Sequence, residues 1–257
     1  MDTPQFQRIK FSRSGRTAVL ALASDKVNAL DREVLQEIST FVEFCEQDPG
    51  IGALVVTGEG SVFSAGLNVN QVLGNDESYT DGVMDDLSAA LVRLFRCPKP
   101  TVAAINGSAI AGGCILASAC DTRLIADEAR IGVTELRIGV SFPIVAIELL
   151  RHACGAGAEQ LIFGAEVLDA EGACQSGLAH QHFPREVLRT EAMAAAERLA
   201  ALDPGAYALA KASMRRSALS AMAIDQGDGR SLELQVRQQW KEDQTRANLG
   251  NLLKPKS

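Results

Sequence analysis

An α/β fold, with a largely parallel sheet crossed by helices and a helical C-terminal region, is what the 257-residue sequence predicts. Three observations carry the prediction. Short β-branched runs alternate with stretches of helical period through the first half. Strand–helix–strand order recurs there, and parallel strands need crossovers of that kind. From Pro143 onward the pattern is almost entirely helical.

Thr17–Ala23 (TAVLALA) reads as the first strand. Asp31 caps a helix whose apolar positions Val34, Leu35, Ile38, Phe41 and Val42 follow the 3.6-residue period, and it ends before Asp48-Pro49-Gly50. Ala53–Thr57 (ALVVT) is a buried strand. A helix over Asp85–Arg96 leads through Pro98 and Pro100 to the strand Thr101–Ile105 (TVAAI). Ile110 to Cys120, rich in small residues, reads as a helix packed closely on the sheet. Leu124–Ala126 and Ala129–Val133 are short further strands. Helices are expected over Glu186–Leu202 and from Pro204 to Trp240, the second broken near Gly227-Asp228-Gly229. The division is an α/β core over residues 1–185 and a helical region over 186–257, whose apolar face suits packing on a neighbour as well as on its own core.

Composition narrows the function. Apolar residues make up 47%, charged residues 22% and aromatics 5%, an ordinary globular profile. The net charge of −7 has the wrong sign for phosphate neutralisation, so no nucleic-acid partner is expected. The six cysteines (45, 97, 114, 120, 154, 174) include no CxxC pair and read as reduced thiols of a cytoplasmic protein. MDTPQFQRIK has no apolar signal core, and the uncharged run Thr101 to Cys120 has too many Gly, Ser and Asn breaks to span a membrane.

Several common signatures are missing. Gly155-Ala156-Gly157 begins like a dinucleotide loop, but position 160 is Gln and no strand precedes it. His180 and His182 alternate along an expected strand with no third ligand nearby in sequence, so no metal is expected. His152 reads as a partner of a helix C-terminus. Two glycine turns are more informative. Ser61–Asn68 follows the ALVVT strand and Ile105–Cys114 follows TVAAI, each at the C-terminal end of a parallel strand. Gly66 and Gly112-Gly113 let backbone approach a ligand closely. Two such turns can aim two N–H groups at one point, which suits a developing oxyanion; tight strand–helix turns account for the glycines equally well.

FSAGLNV (63–69), AAINGSAIAGGCILASACD (103–121) and RIGVTELRIGVSFP (130–143) together resemble the crotonase superfamily of enoyl-CoA hydratases and isomerases, and SDKVNALD (24–31) is similar to its CoA-side segment. The resemblance spans residues 10 to 240. It implies a crotonase-like spiral of β-β-α units, a homotrimer or dimer of trimers, an acyl-CoA substrate and no separate cofactor. Carried over by position, the oxyanion amides fall on Leu67 and Gly112, Ala65 lies against the adenine, and Lys26 is a candidate for the CoA phosphates. Ala111 stands where a glycine is usual and Asn68 where an Asp is common.

Hydratases of that family hold the attacking water with two glutamates. One matches Glu135; the other matches Ile115, an aliphatic side chain that cannot polarise water. The resemblance therefore points to a Δ3,Δ2-enoyl-CoA isomerase, in which Glu135 alone shuttles a proton. The alternative is a hydratase drawing a second acid from Glu148 or from Asp76, Glu77, Asp85 and Asp86, in or after a polar loop expected to cover the site. A non-catalytic acyl-CoA-binding subunit is the rival of another class, opposed by Glu135. An RNA-binding relative is opposed by the −2 charge of Asp31, Arg32, Glu33 and Glu37.

Overall fold

In the computed structural model, which describes residues 4–223 and 228–254, two sheets share one apolar core. The chain begins with β1 (Ile9–Ser14), β2 (Thr17–Leu22), α1 (Arg32–Gln47), β3 (Ala53–Gly58) and β4 (Val62–Ser64). It continues through α2 (Val69–Gly74), α3 (Glu77–Arg96), β5 (Thr101–Ile105), β6 (Ser108–Ile110), α4 (Gly112–Ser118), β7 (Thr122–Ala126) and β8 (Ile131–Gly132). A 3-10 turn at Glu135–Ile138 precedes α5 (Ile144–Cys154), α6 (Gly157–Phe163), β9 (Val167–Leu168), α7 (Ala170–Gln175) and β10 (Gln181–Phe183). Four helices follow: α8 (Arg185–Ala200), α9 (Pro204–Met222), α10 (Asp228–Lys241) and α11 (Asp243–Leu252).

The large sheet has the order β1-β2-β3-β5-β7-β10 and is parallel except for the β1–β2 hairpin. Its central strands are buried on both faces, as parallel strands between helices should be. The second sheet, β4-β6-β8-β9, is built of strands only two or three residues long. Each large strand β3, β5 and β7 hands the chain on to a short one, β4, β6 and β8. The two glycine turns thus come to lie side by side.

α1 matches its sequence reading: Asp31 accepts a hydrogen bond from Val34 N–H at 3.0 Å, and Val34, Leu35, Ile38, Phe41 and Val42 are buried. Other boundaries differ. α3 starts at Glu77, not Asp85, because Asp76 caps it by accepting from Tyr79 N–H at 3.0 Å. The stretch expected as one helix from Ile110 to Cys120 is the end of β6, a turn at Ala111 and the short α4. Ala129–Val133 shortens to β8. The break expected near Gly227-Asp228-Gly229 falls partly outside the described residues.

Beyond residue 185, α8 lies on β3 and β5 through Leu188, Ala192, Ala195 and Ala196. α10 packs on α3, and α11 on α2 and the 3-10 turn. Asp121, Lys211 and Arg215 form a buried cluster linking β5, β7 and α9. The Asp121 carboxylate pairs with Lys211 at 2.7 Å and Arg215 at 2.6 Å and accepts from Thr101 N–H at 2.7 Å. Arg215 also donates to Phe95 O at the end of α3. Among the described residues no helix is long and apolar enough to cross a membrane.

Candidate active site

The first glycine turn leaves β4 at Ser64. Leu30 N–H donates to Gly66 O at 2.8 Å and Asn68 N–H donates to Leu30 O at 2.9 Å, so residues 66–68 run beside Leu30 like a strand. Alternation along extended backbone then turns the Leu67 N–H to the opposite side. Gly66 has φ +88°, a conformation that only glycine adopts readily. The buried Ser64 hydroxyl accepts from Gly66 N–H at 3.2 Å and donates to Asn28 O at 2.8 Å, holding the turn.

The second turn joins β6 to α4. Ala111 sits at φ +54°, ψ −124°, strained for a residue with a side chain, and its N–H donates to Gly132 O at 2.9 Å. Gly113 lets α4 press against β4, since a Cβ there would stand 2.3 Å from Ser64 O. A Cβ on Gly112 would lie 3.6 Å from Leu67 N. The Leu67 and Gly112 amides are therefore neighbours, and neither donates to an acceptor among the described residues.

Both turns border a cavity of about 230 Å³. Ala65, Leu67, Ala111 and Gly112 form one side; Met84, Leu87, Ile115, Ile138 and Phe142 are among the apolar side chains that line the rest. Glu135 is the one ionisable side chain on it among the described residues. It opens the 3-10 turn directly after β8 and is 6% exposed. Burial pushes its carboxyl up to about 7, against the hydrogen bond it accepts from Thr134 N–H at 2.8 Å. Arg130 pairs elsewhere, with Asp169, and among the described residues no ion pair of Glu135 offsets that burial. Ile115, one turn into α4, is 2% exposed and adds only carbon. Two free amide donors beside a carboxyl that titrates near neutrality can stabilise an oxyanion and move a proton.

The remaining sequence-predicted residues fall as follows. Ala65 is exposed at the cavity mouth and its N–H donates to Val27 O at 3.0 Å, which brings the neighbouring exposed Lys26 to the same rim. The expected reserve of acids is not at the site. Glu148 pairs with Arg151 at 2.9 Å; Asp76 caps α3; Glu77 is exposed in its first turn; Asp85 pairs with Arg237 at 2.7 Å and Asp86 with Arg32 at 2.6 Å. Asp76, Glu77, Asp85 and Asp86 belong to α3 and its cap, whose cavity-facing side chains are Met84 and Leu87, and no residue of α5, the helix of Glu148, lines the cavity. Asn68 caps α2, accepting from Gln71 N–H at 3.2 Å, which an Asp would do equally well.

The histidines are structural. His180 accepts from Arg123 N–H at 2.9 Å, His182 pairs with Asp127, and His152 stands edge-on to Phe95 in the last turn of α5. Among the described residues no group of His, Cys, Asp and Glu could hold a metal ion, and all six cysteines are free.

Sequence reasoning missed the wall supplied by the C-terminal helices: Trp240 on α10, and Leu249 and Leu252 on α11. Trp240 Nε1 donates to Ser141 O at 3.2 Å, Asn248 Nδ2 to Ile138 O at 3.0 Å, and Arg246 to Leu73 O at 2.9 Å. The single Trp of the sequence, on a stretch that also carries Leu232, Leu234 and Val236, was the available signal.

Comparison with known proteins places this geometry. The family model described as enoyl-CoA hydratase/isomerase matches residues 14–246. A probable enoyl-CoA hydratase of Mycobacterium tuberculosis is 31% identical over 220 residues, 85% of each chain. The human mitochondrial enoyl-CoA delta isomerase 1 is 32% identical over 208 residues, 79% of this chain and 68% of its own. The crystal structure of human mitochondrial delta3-delta2-enoyl-CoA isomerase superposes with a TM-score of 0.89 at 27% identity, covering 96% of this chain and 97% of the other.

Proposed function

The chain belongs to the enoyl-CoA hydratase/isomerase family, and from that premise we propose that it is an acyl-CoA enzyme catalysing Δ3,Δ2-enoyl-CoA isomerisation with Glu135 as sole proton carrier. The observation that carries this reading is the pairing of Glu135 with Ile115 on the cavity wall: one carboxyl, and hydrocarbon where a second would stand.

The thioester oxygen accepts from the Leu67 and Gly112 N–H groups. Glu135, ionised, takes a proton from C2, and the electron pair delocalises through C1 onto the thioester oxygen and through the C3–C4 double bond onto C4, as a dienolate. The protonated Glu135 then delivers the proton to C4, which leaves the double bond between C2 and C3. Each well-placed oxyanion donor is worth roughly 3–4 kcal/mol in a site without water. A carboxyl titrating near 7 is ionised often enough to accept the proton and acidic enough to return it. Burial among apolar side chains keeps water from trapping the intermediate. Ala65 and Lys26 at the rim receive the adenine and the phosphates. No metal or cofactor enters the reaction. Leu209 and Met214 on α9, 70% and 75% exposed, belong to the surface that a trimer would cover.

Hydration of 2-enoyl-CoA is the second reading, favoured by the description of the mycobacterial relative. A paired assay separates them: 3-enoyl-CoA followed for double-bond migration, 2-enoyl-CoA for water addition. Migration without comparable hydration is expected. Fast hydration overturns the single-carboxyl mechanism.

A further inference from the structure

We propose that the cavity selects acyl groups of medium length with an unfunctionalised hydrocarbon tail, and that Trp240 is the residue that limits them; this rests on the acyl-thioester reading above. An apolar cavity of about 150 Å³ holds one benzene, so the 230 Å³ here holds about nine carbon-sized atoms, an acyl group of about six to nine carbons.

The wall chemistry fits that class. Its polar side chains, Thr134, Glu135 and Ser141, all come from the one segment of eight residues that carries Glu135. Among the described residues every other side chain on it is apolar apart from the Trp240 indole N–H, and Ser141 O already occupies that donor. A hydroxyl or carboxyl on the tail would lose its water and find no replacement.

Trp240 is a fixed wall. It is 6% exposed, and α10 is fastened to the chain after the 3-10 turn by three hydrogen bonds: Trp240 Nε1 to Ser141 O, Ser141 N–H to Gln239 Oε1 at 2.9 Å, and Ile144 N–H to Glu233 Oε2 at 3.1 Å. On its other side Lys241 pairs with Asp81 and Arg237 with Asp85, both at 2.7 Å. A longer chain would have to displace the indole and break this set of contacts together. Leu252, 57% exposed, forms a lip of the same wall and offers far less resistance.

Trp240 is the only tryptophan of the sequence, so its fluorescence reports on this wall alone. Saturated acyl-CoAs from two to sixteen carbons, with free CoA as reference, are titrated by calorimetry and by tryptophan emission. Affinity is expected to rise about fourfold per added methylene at most, to level or fall beyond about nine carbons, and to be accompanied by an emission change once the chain reaches the indole. Trp240→Ala, and separately Leu249→Ala should the first variant not fold, moves the turning point to longer chains. Wild-type affinity that climbs at least tenfold further from eight to sixteen carbons overturns the proposal. So does a folded Trp240→Ala protein with an unchanged turning point. If no acyl-CoA binds more tightly than CoA itself, the acyl-thioester reading fails, and this inference with it.

Discussion

Gly66 and Gly112 meet backbone to backbone: a methyl group on Gly66 would stand 2.9 Å from the Gly112 amide nitrogen. It would also stand 3.0 Å from Ile110 O, on a residue already at φ +88°. Gly66→Ala is therefore expected to push the two turns apart and misdirect the Leu67 and Gly112 N–H groups. Loss of one oxyanion donor costs about 10²–10³ in kcat, and a fall in that range with CoA affinity little changed is the expected result. Steady-state kinetics beside CoA binding by calorimetry checks it.

Glu135→Gln removes the proton carrier but keeps an oxygen for Thr134 N–H. kcat should drop by at least about 10²–10⁴ while acyl-CoA affinity holds. In the wild type, kcat/KM should rise with pH through about 7 as the carboxyl ionises. Stability follows the opposite course. The folded-state pKa is raised, so the folded protein binds the proton more tightly than the unfolded chain, and this stabilisation is lost as pH rises from the unfolded value through about 7. Glu135→Gln should therefore gain stability relative to wild type above pH 7, by about 1–3 kcal/mol, and show no such gain near pH 4. Thermal melts at both pH values give the answer.

Ile115→Glu restores a second carboxyl to the cavity. Burying it beside Glu135 should raise the pKa of one or both acids and lower stability by several kcal/mol, roughly the cost of an unpaired buried charge. In whatever folds, the ratio of hydration to isomerisation is expected to rise at least tenfold in the paired assay. An unchanged ratio removes Ile115 from the account of reaction choice.

Asp121→Asn tests the buried cluster under the sheet. The carboxylate is the shared partner of Lys211 and Arg215, whose side chains are 6% and 5% exposed. Losing its charge leaves two cations without it, and denaturant unfolding should show a loss of about 3–5 kcal/mol.

The large sheet and α1 were legible because their signals are local: runs such as ALVVT and TVAAI, and an Asp31 cap ahead of an apolar stripe. β1 was not, because IKFSRS buries only Ile9 and exposes Lys10, Arg13 and Ser14 on an edge strand. β4 and β6 hid inside the glycine turns, being too short to show a period. Asp76-Glu77-Ser78 looked like a polar loop and is the start of α3, since a cap and a loop use the same residue types. At the site, Leu67, Gly112 and Glu135 came from motif position, and their surroundings place them on one cavity. Trp240 and Leu249 could not be found that way. They reach the cavity only because α10 and α11 fold back over α2, α3 and the 3-10 turn, through contacts such as Trp240–Ser141, 99 residues apart, and Arg246–Leu73, 173 apart.

That fold-back bears on how the protein is made. The strands that carry the two amide turns and Glu135 are synthesised first and can assemble as they leave the ribosome. Trp240 and Leu249 emerge long afterwards, so a core that folded first would hold its reactive groups in an open trough until the final helices completed the wall. Extensions or deletions at that end of the chain would then disturb which molecules enter more than whether the core folds.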